Sequence, residues 1–482
     1  MVKTVLSKAL ICDRDNFLKA VDVFFDQQIL EISPLSARPV LWKDIAAKSD
    51  WHKFTATLPA NPYSDDIRVM ETGGLLLMPG AIDPHVHFNT PGFEYRDDFE
   101  HGSTAAAAGG VTTIIDMPCT SVPPVTTRQN LESKRAELKN RSCIDYAFWG
   151  GVAGNAFKDS DRNIRELAEA GVVGFKAYFV SGMPEFTALS LGQMLSTSEV
   201  VKKTGLPLAV HAENGDLVLT RQKDLIDQQK NDWQAYCQSR DVLAEAVAVA
   251  QLRELCRRTG CRIHIVHLSS GRGLNLIREA CSEHLPLSAE TCPHYLTFTQ
   301  IDFENPDIAA FLKTAPPVKT AADRQALWEG LADESLLFVA TDHAGCDPAD
   351  EKTSTDFWQV YGGIPGVEHR VPFLFSEGFK QGRLTLEQTI ALLSGNAARY
   401  FGLTAKKGSL NPGKDADFAL IDLWTDQVVR AADMHSKGKY TPLEGRRLGA
   451  VVQGTWLRGR ELMDNGRPVD LDFSYGRWIR PG

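Results

Sequence analysis

Asp83-Pro84-His85-Val86-His87-Phe88 follows the apolar run Leu75-Leu76-Leu77-Met78 and sets two imidazoles two positions apart. The apolar run reads as a buried strand. Side chains on a strand alternate faces, so His85 and His87 point the same way. Two imidazoles at one strand end can hold one metal ion. A His-x-His pair by itself decides little, because structural and surface histidines also occur at that spacing.

Other apolar runs end on polar residues of the same kind. Lys176 follows Gly174-Phe175, His211 follows Leu208-Ala209-Val210, His267 follows Ile265-Val266, and Asp342 follows Val339-Ala340-Thr341. Each has a plainer reading. A strand-end histidine is usually hydrogen-bonded core or loop, a lysine is seldom fully buried, and an aspartate there can cap a helix. What points to chemistry is the joint pattern, one polar residue per strand end in order. Parallel barrels gather such residues at the C-terminal mouth.

The elements that must position these residues fall into three stretches. Residues from about 3 to 33 are β-rich, as in Ala20-Val21-Asp22-Val23-Phe24-Phe25, and 34–66 reads as an irregular loop or insertion with Pro34, Pro39, Pro59 and Pro62. From 72 to 404, short apolar runs alternate with helix-like segments such as Asp161 to Ala170 and Leu243 to Arg258. That alternation predicts parallel βα units closed into an α/β, (β/α)8 TIM-type barrel. From 405 to 465 strand-like text returns, as in Asp417-Phe418-Ala419-Leu420-Ile421, and 466–482 reads as a tail. Residues 1–71 and 405–465 together are expected to build a small β-sandwich domain from both chain ends.

The chain has 482 residues, 43% hydrophobic and 23% charged, with net charge −9. No Lys/Arg-dense block points to nucleic acid, and no apolar stretch approaches the roughly 20 residues of a membrane span. The first residues lack an export signal. Nine cysteines without Cys-x-x-Cys pairing read as reduced thiols in a cytoplasmic protein, not as metal ligands.

Asp83-Pro84-His85-Val86-His87, Gly174-Phe175-Lys176, His211-Ala212-Glu213-Asn214, His267-Leu268-Ser269-Ser270, Glu290-Thr291-Cys292-Pro293-His294-Tyr295 and Thr341-Asp342-His343 together resemble the amidohydrolase superfamily. The match is to its cyclic-amide branch of dihydroorotases, allantoinases and hydantoinases, from about residue 70 to 460. The resemblance implies two divalent metal ions, usually zinc. It places one on His85, His87 and Asp342, the other on His211 and His267, with Lys176 as an N-carboxylated bridge. A carbamate offers two anionic oxygens where a neutral amine is a poor bridge. Metal lowers the pKa of water to about 7, and Asp342 would be the catalytic acid–base that carries the proton to the leaving nitrogen. No nucleophile elbow, phosphate loop or dinucleotide fingerprint proposes a rival chemistry. His264, His284, His294 and His343 fall outside the ligand set. His264 stands an odd number of positions from His267, which predicts a side chain packed behind the barrel. His343 reads mainly as loop structure.

Substrate choice rests on two positions. Dihydroorotases carry arginine after His-x-His, where it would pair bidentately with a carboxylate, and asparagine after Met-Pro. Here those positions are Asn89 and Cys119, the two candidate substrate contacts. Asn89 with Phe148-Trp149-Gly150-Gly151 and Asp342-His343-Ala344-Gly345-Cys346 is more similar to allantoinases. A small cyclic ureide such as allantoin is the expected substrate, ahead of dihydroorotate and then hydantoins or dihydropyrimidines. The competing class is a non-catalytic scaffold on a barrel of this type, which complete ligand positions disfavour. The family resemblance also implies a homo-oligomer, dimer or tetramer.

Overall fold

The structure, a computed structural model, describes residues 4–36, 38–60, 62–63 and 66–482. Seven parallel strands line up in chain order: Ala81–His87, Val111–Asp116, Asp145–Phe148, Phe175–Tyr178, Leu208–His211, Ile263–Ile265 and Leu287–Ala289. Helices alternate with them, for example Phe99–Ala108, Ser160–Ala170 and Val242–Thr259. The third strand bends at Trp149, so that Asp145–Phe148 pairs with the second strand and Gly150–Gly151 with the fourth. An extended eighth segment closes the ring. Leu337 and Ala340 donate their amides to Ala289 and Thr291, and His343–Ala344 pairs with Val86 and His87. The expected α/β barrel is the observed architecture.

Local chemistry explains the helices. Asp241 caps Val242–Thr259 by accepting from the Ala244 amide, and Gly260 ends it at φ +65°. Ser160–Ala170 buries Ile164, Leu167 and Ala170 along one face. The barrel interior below the mouth is apolar, filled by Ile82, Ile115, Ala147, Trp149, Ala209 and Phe338 among others. Gly174 has no room for a side chain, since a Cβ there would lie 2.4 Å from the Trp149 ring.

Strands from both chain ends share one ten-stranded sheet, in which Leu76–Pro79 pairs antiparallel with Phe418–Asp422 and meets Thr4–Arg14 on its other side. Phe25 and Phe418 stand three strands apart on the path yet their rings touch at 5.3 Å. Flat strands at about 4.8 Å spacing would hold them some 14 Å apart, so the sheet curls onto itself and encloses its own core of Leu6, Val23, Phe25, Leu77, Phe418 and Trp456.

Two readings need correction. The stretch 34–66 is not wholly irregular: Val40–Leu41 pairs with Phe17–Phe25, and two short helices, Trp42–Ile45 and Lys48–Thr55, follow. Trp51 stacks on Trp424 at 4.6 Å and donates to the Gly74 carbonyl, so tertiary packing supplies what local periodicity did not. Residues 37, 61, 64 and 65 of that stretch lie outside the described residues. The 466–482 stretch is also no free tail. Arg467–Pro468 extends the sheet, and the following segment exchanges backbone hydrogen bonds with Ser142 and Tyr146 at the start of the third barrel strand.

Candidate metal centre

Asp342 Oδ1 lies 3.1 Å from His87 Nε2 and 3.0 Å from His85 Nε2, the latter off the line of a hydrogen bond. These ligand-type atoms fall within 4.8 Å of one another. Beside them His211 Nδ1 faces His267 Nε2 at 3.1 Å, and the rings of His85 and His267 are 5.6 Å apart. Lys176 Nζ is fully buried, has no hydrogen-bond partner, and lies 4.8 Å above the Tyr178 ring. All six side chains predicted as ligands therefore converge at one end of the barrel.

Backbone geometry aims two of them. His267 and Asp342 have φ of +41° and +50°, left-handed turns that fold these strand-end side chains inward. Asp83 fixes the second turn, accepting from the Thr341 hydroxyl at 2.6 Å and from its amide.

The outer nitrogens are held as metal-ligating imidazoles usually are, by a carboxylate or hydroxyl that fixes the tautomer. His85 Nδ1 donates to Glu290 Oε1 at 2.5 Å, His211 Nε2 to Glu213 Oε2 at 2.8 Å, and His87 Nδ1 meets Thr120 Oγ1 at 3.1 Å. With Nε2–H given to Glu213, His211 presents a lone pair to His267. His267 then either turns its own lone pair onto that one or leaves the lone pair of its buried, unpartnered Nδ1 without a donor. A cation between the rings removes the conflict. Four imidazoles, one carboxylate and an orphaned buried amine make a donor set suited to a divalent metal such as zinc.

Without metal, these side chains set opposite charges against one another. Burial opposes ionisation of Asp342, but His85 and His87 hold its carboxyl well below the usual range. Burial alone would lower His85 and His87; Asp342 with Glu290 outweighs it for His85, and Cys119 with Asp342 raises His87 to about 10. His267 is driven well below 6.5 by burial and His211. Burial brings Lys176 down to about 8.

The group opens into a cavity of about 560 Å³. Its wall includes Cys119, whose Sγ lies 3.0 Å from the Tyr178 hydroxyl. Asn89 is not on that wall. At φ +56° its side chain turns inward, fully buried, with Nδ2 donating to the Gly345 carbonyl at 3.4 Å. His343 is likewise structural, bonded to Asp97 and to the Val367 amide. His264 is not behind the barrel but inside it, because the left-handed turn at His267 breaks strand parity before the two histidines can be compared. Sequence reasoning gave no role to Glu213, Glu290, Tyr178 or Arg240. Only Glu213, two residues after His211, and Glu290, opening Glu-Thr-Cys-Pro-His, stood in recognisable motifs.

The model of the family described as "Amidohydrolase family" matches residues 76–462. The chain belongs to the amidohydrolase family. This amidohydrolase is 37% identical over 413 residues to an allantoinase of Rubrobacter xylanophilus, covering 86% of this chain and 89% of that protein. It is 33% identical over 416 residues to an L-hydantoinase of Paenarthrobacter aurescens, covering 86% and 89%. Among solved structures it is similar to an L-hydantoinase (dihydropyrimidinase) from Arthrobacter aurescens, with TM-score 0.87 and 29% identity over the whole of both chains. A dihydropyrimidinase from Brevibacillus agri gives 0.86 at 25% identity, covering 99% of this chain and 98% of the other.

Proposed function

We propose that this chain hydrolyses a ring C–N bond of a neutral cyclic ureide, allantoin in the first place, to the open carbamoyl acid. The observation that carries the choice is the state of the cations on the cavity wall. Arg96 is bonded to Glu351 at 2.6 Å, Arg240 to Glu213, and Lys313 to the carbonyls of Phe357, Trp358 and Val360. Each of these cations on the cavity wall is already held by protein acceptors, which disfavours it as the anchor for the carboxylate of dihydroorotate. Relatives named allantoinase support the uncharged ring, and the L-hydantoinase relative makes a hydantoin the second reading.

His85, His87 and Asp342 would hold one divalent ion, His211 and His267 the other, and Lys176 would bridge them. Bound there, two zinc ions would supply a water acidic near neutral pH and would polarise the ring carbonyl. The burial that holds Lys176 near 8 leaves an appreciable share of neutral amine. That amine can add to carbon dioxide and release one proton, giving a carbamate with two oxygens. Asp342 takes a proton from the attacking water on its carboxylate. It delivers that proton to the ring nitrogen as the C–N bond breaks, so water adds across the bond. Tyr178 faces the cavity with its hydroxyl and is placed to donate to the carbonyl oxygen as negative charge develops there. Cys119 sets the distance of that hydroxyl. We also propose a dimer or tetramer, on the family, and a cytoplasmic location, on the nine unpaired cysteines. No described helix is long and apolar enough to cross a membrane.

The test is ring opening by zinc-loaded protein with allantoin, hydantoin and dihydroorotate side by side. Turnover of allantoin well above the other two is expected. Preference for dihydroorotate would overturn the argument from the engaged cations, and no turnover with full metal occupancy would return the scaffold reading.

A further inference from the structure

Glu290 lies between two imidazoles. Its Oε1 is 2.5 Å from His85 Nδ1 and its Oε2 is 3.2 Å from His264 Nε2. The carboxyl is 1% exposed, and each of its two oxygens is committed to one of these contacts. An ionised carboxylate only accepts, so both nitrogens carry hydrogen. On its other side His264 Nδ1 meets the Ser288 hydroxyl at 2.8 Å, and Ser288 Oγ is in turn hydrogen-bonded to the Tyr400 hydroxyl at 3.2 Å. Glu290 thus ties two imidazoles together, and at the far end of the chain His85 Nε2 faces Asp342 Oδ1 at 3.0 Å.

The chain crosses the barrel from mouth to floor. The strand register Lys176↔Ala209↔His264↔Ser288 puts His264 in the same inward row as Lys176. Its ring packs between Phe338 and Tyr400, each 5.2 Å away. Tyr400 lines a cleft of about 700 Å³ on the opposite face. The surroundings are apolar, where a polar group costs free energy unless fully bonded and an aliphatic residue would pack without that demand.

We infer that His264 is a positioning residue for the metal-facing His85, acting through Glu290 and braced from the barrel floor by Ser288 and Tyr400. This rests on the reading of His85 as a metal ligand. The second oxygen of Glu290 is the coupling point: without His264 the carboxylate can rotate, and the tautomer and direction of His85 loosen. Loss of such an outer partner typically lowers metal affinity about 10- to 100-fold.

Wild type, His264→Phe, His264→Gln and Ser288→Ala would be stripped with chelator, then titrated with cobalt(II) in bicarbonate buffer. Visible absorption reports ligand geometry and chelator competition reports affinity. We expect folded His264→Phe to bind cobalt about 10- to 100-fold more weakly with shifted bands. His264→Gln, which keeps an N–H donor for Glu290, should recover part of the loss, and Ser288→Ala should move both readouts less in the same direction. Wild-type affinity and bands in folded His264→Phe would overturn the inference. If that variant does not fold, unchanged affinity and bands in Ser288→Ala would do so. A wild-type protein that takes up no cobalt would instead remove the metal-centre reading on which the inference stands.

Discussion

Lys176 brings a fully buried amine with no hydrogen-bond partner in among the clustered histidines and Asp342. Lys176→Ala should lose metal from both positions and cut turnover more than 100-fold, the upper end of what weaker outer partners cost. Metal analysis beside the activity assay checks this, and retained stoichiometry with wild-type turnover would end the bridge assignment. Tyr178→Phe separates a different contribution. Removing a donor to a developing oxyanion costs about 10²–10³ in kcat, so kcat should fall with little change in KM. Glu213 sets an acid limit. Arg240 and His211 outweigh burial and depress its pKa to about 2 from 4.5. A depressed carboxyl pKa stabilises the fold above the unfolded value and loses that stabilisation as pH falls through the window from 4.5 to 2. Urea midpoints of metal-free protein should therefore drop between pH 5 and 3, and the drop should be smaller in Glu213→Gln. An identical drop in both proteins would show that Glu213 does not carry this linkage. At this scale the six clustered side chains were legible because a polar residue after an apolar run is visible in a string of letters. Their orienting partners were not, since Glu290 meets His85 across 205 positions and Arg240 meets Glu213 only through tertiary packing.

Strand ends explain both the success and the failure of the sequence reading at the level of elements. Parity along a strand correctly put His85 and His87 on one face: both imidazoles reach Asp342 Oδ1, although the pairing of Ala81–His87 shifts register between Asp83 and Val86. The same parity misplaced His264, because left-handed backbone at His267 leaves no regular strand to count along. The short helices at Trp42–Ile45 and Lys48–Thr55 were invisible for another reason: a helix of one or two turns shows too little period to read and is held by packing. Packing also makes Gly174 a test of the barrel. A methyl group there would press on Trp149 at 2.4 Å and on Pro207 at 2.9 Å, two residues before Lys176. Gly174→Ala should cost about 1–3 kcal/mol, the usual range for overpacking, read as a lower thermal midpoint. A midpoint equal to wild type would mean that the strand shifts without strain.

The whole molecule is joined where the third barrel strand meets the terminal sheet. Lys407 Nζ sits 2.6 Å from both Asp145 and Asp417 and 3.0 Å from Asp415, and Arg458 pairs with Asp145 as well. The three aspartates are close enough to resemble a metal site, but the ammonium already occupies their centre. Removing one partner of a buried pair typically costs about 3–5 kcal/mol, so Lys407→Met should destabilise the protein by that order while leaving metal content per folded molecule unchanged. Loss of metal in the folded variant would instead tie this junction to the barrel mouth.

The curled sheet carries a consequence for how the chain is made. Leu76–Pro79 finds its antiparallel neighbour only in Phe418–Asp422, after residues 80–417 have been synthesised. At about 5–20 residues per second, the first strands would wait roughly 20–70 s with an open, apolar edge. A nascent chain in that interval presents an aggregation-prone surface that the finished enzyme hides. Yield in a cell should therefore respond to chaperone supply and translation speed more sharply than the stability of the purified protein would suggest.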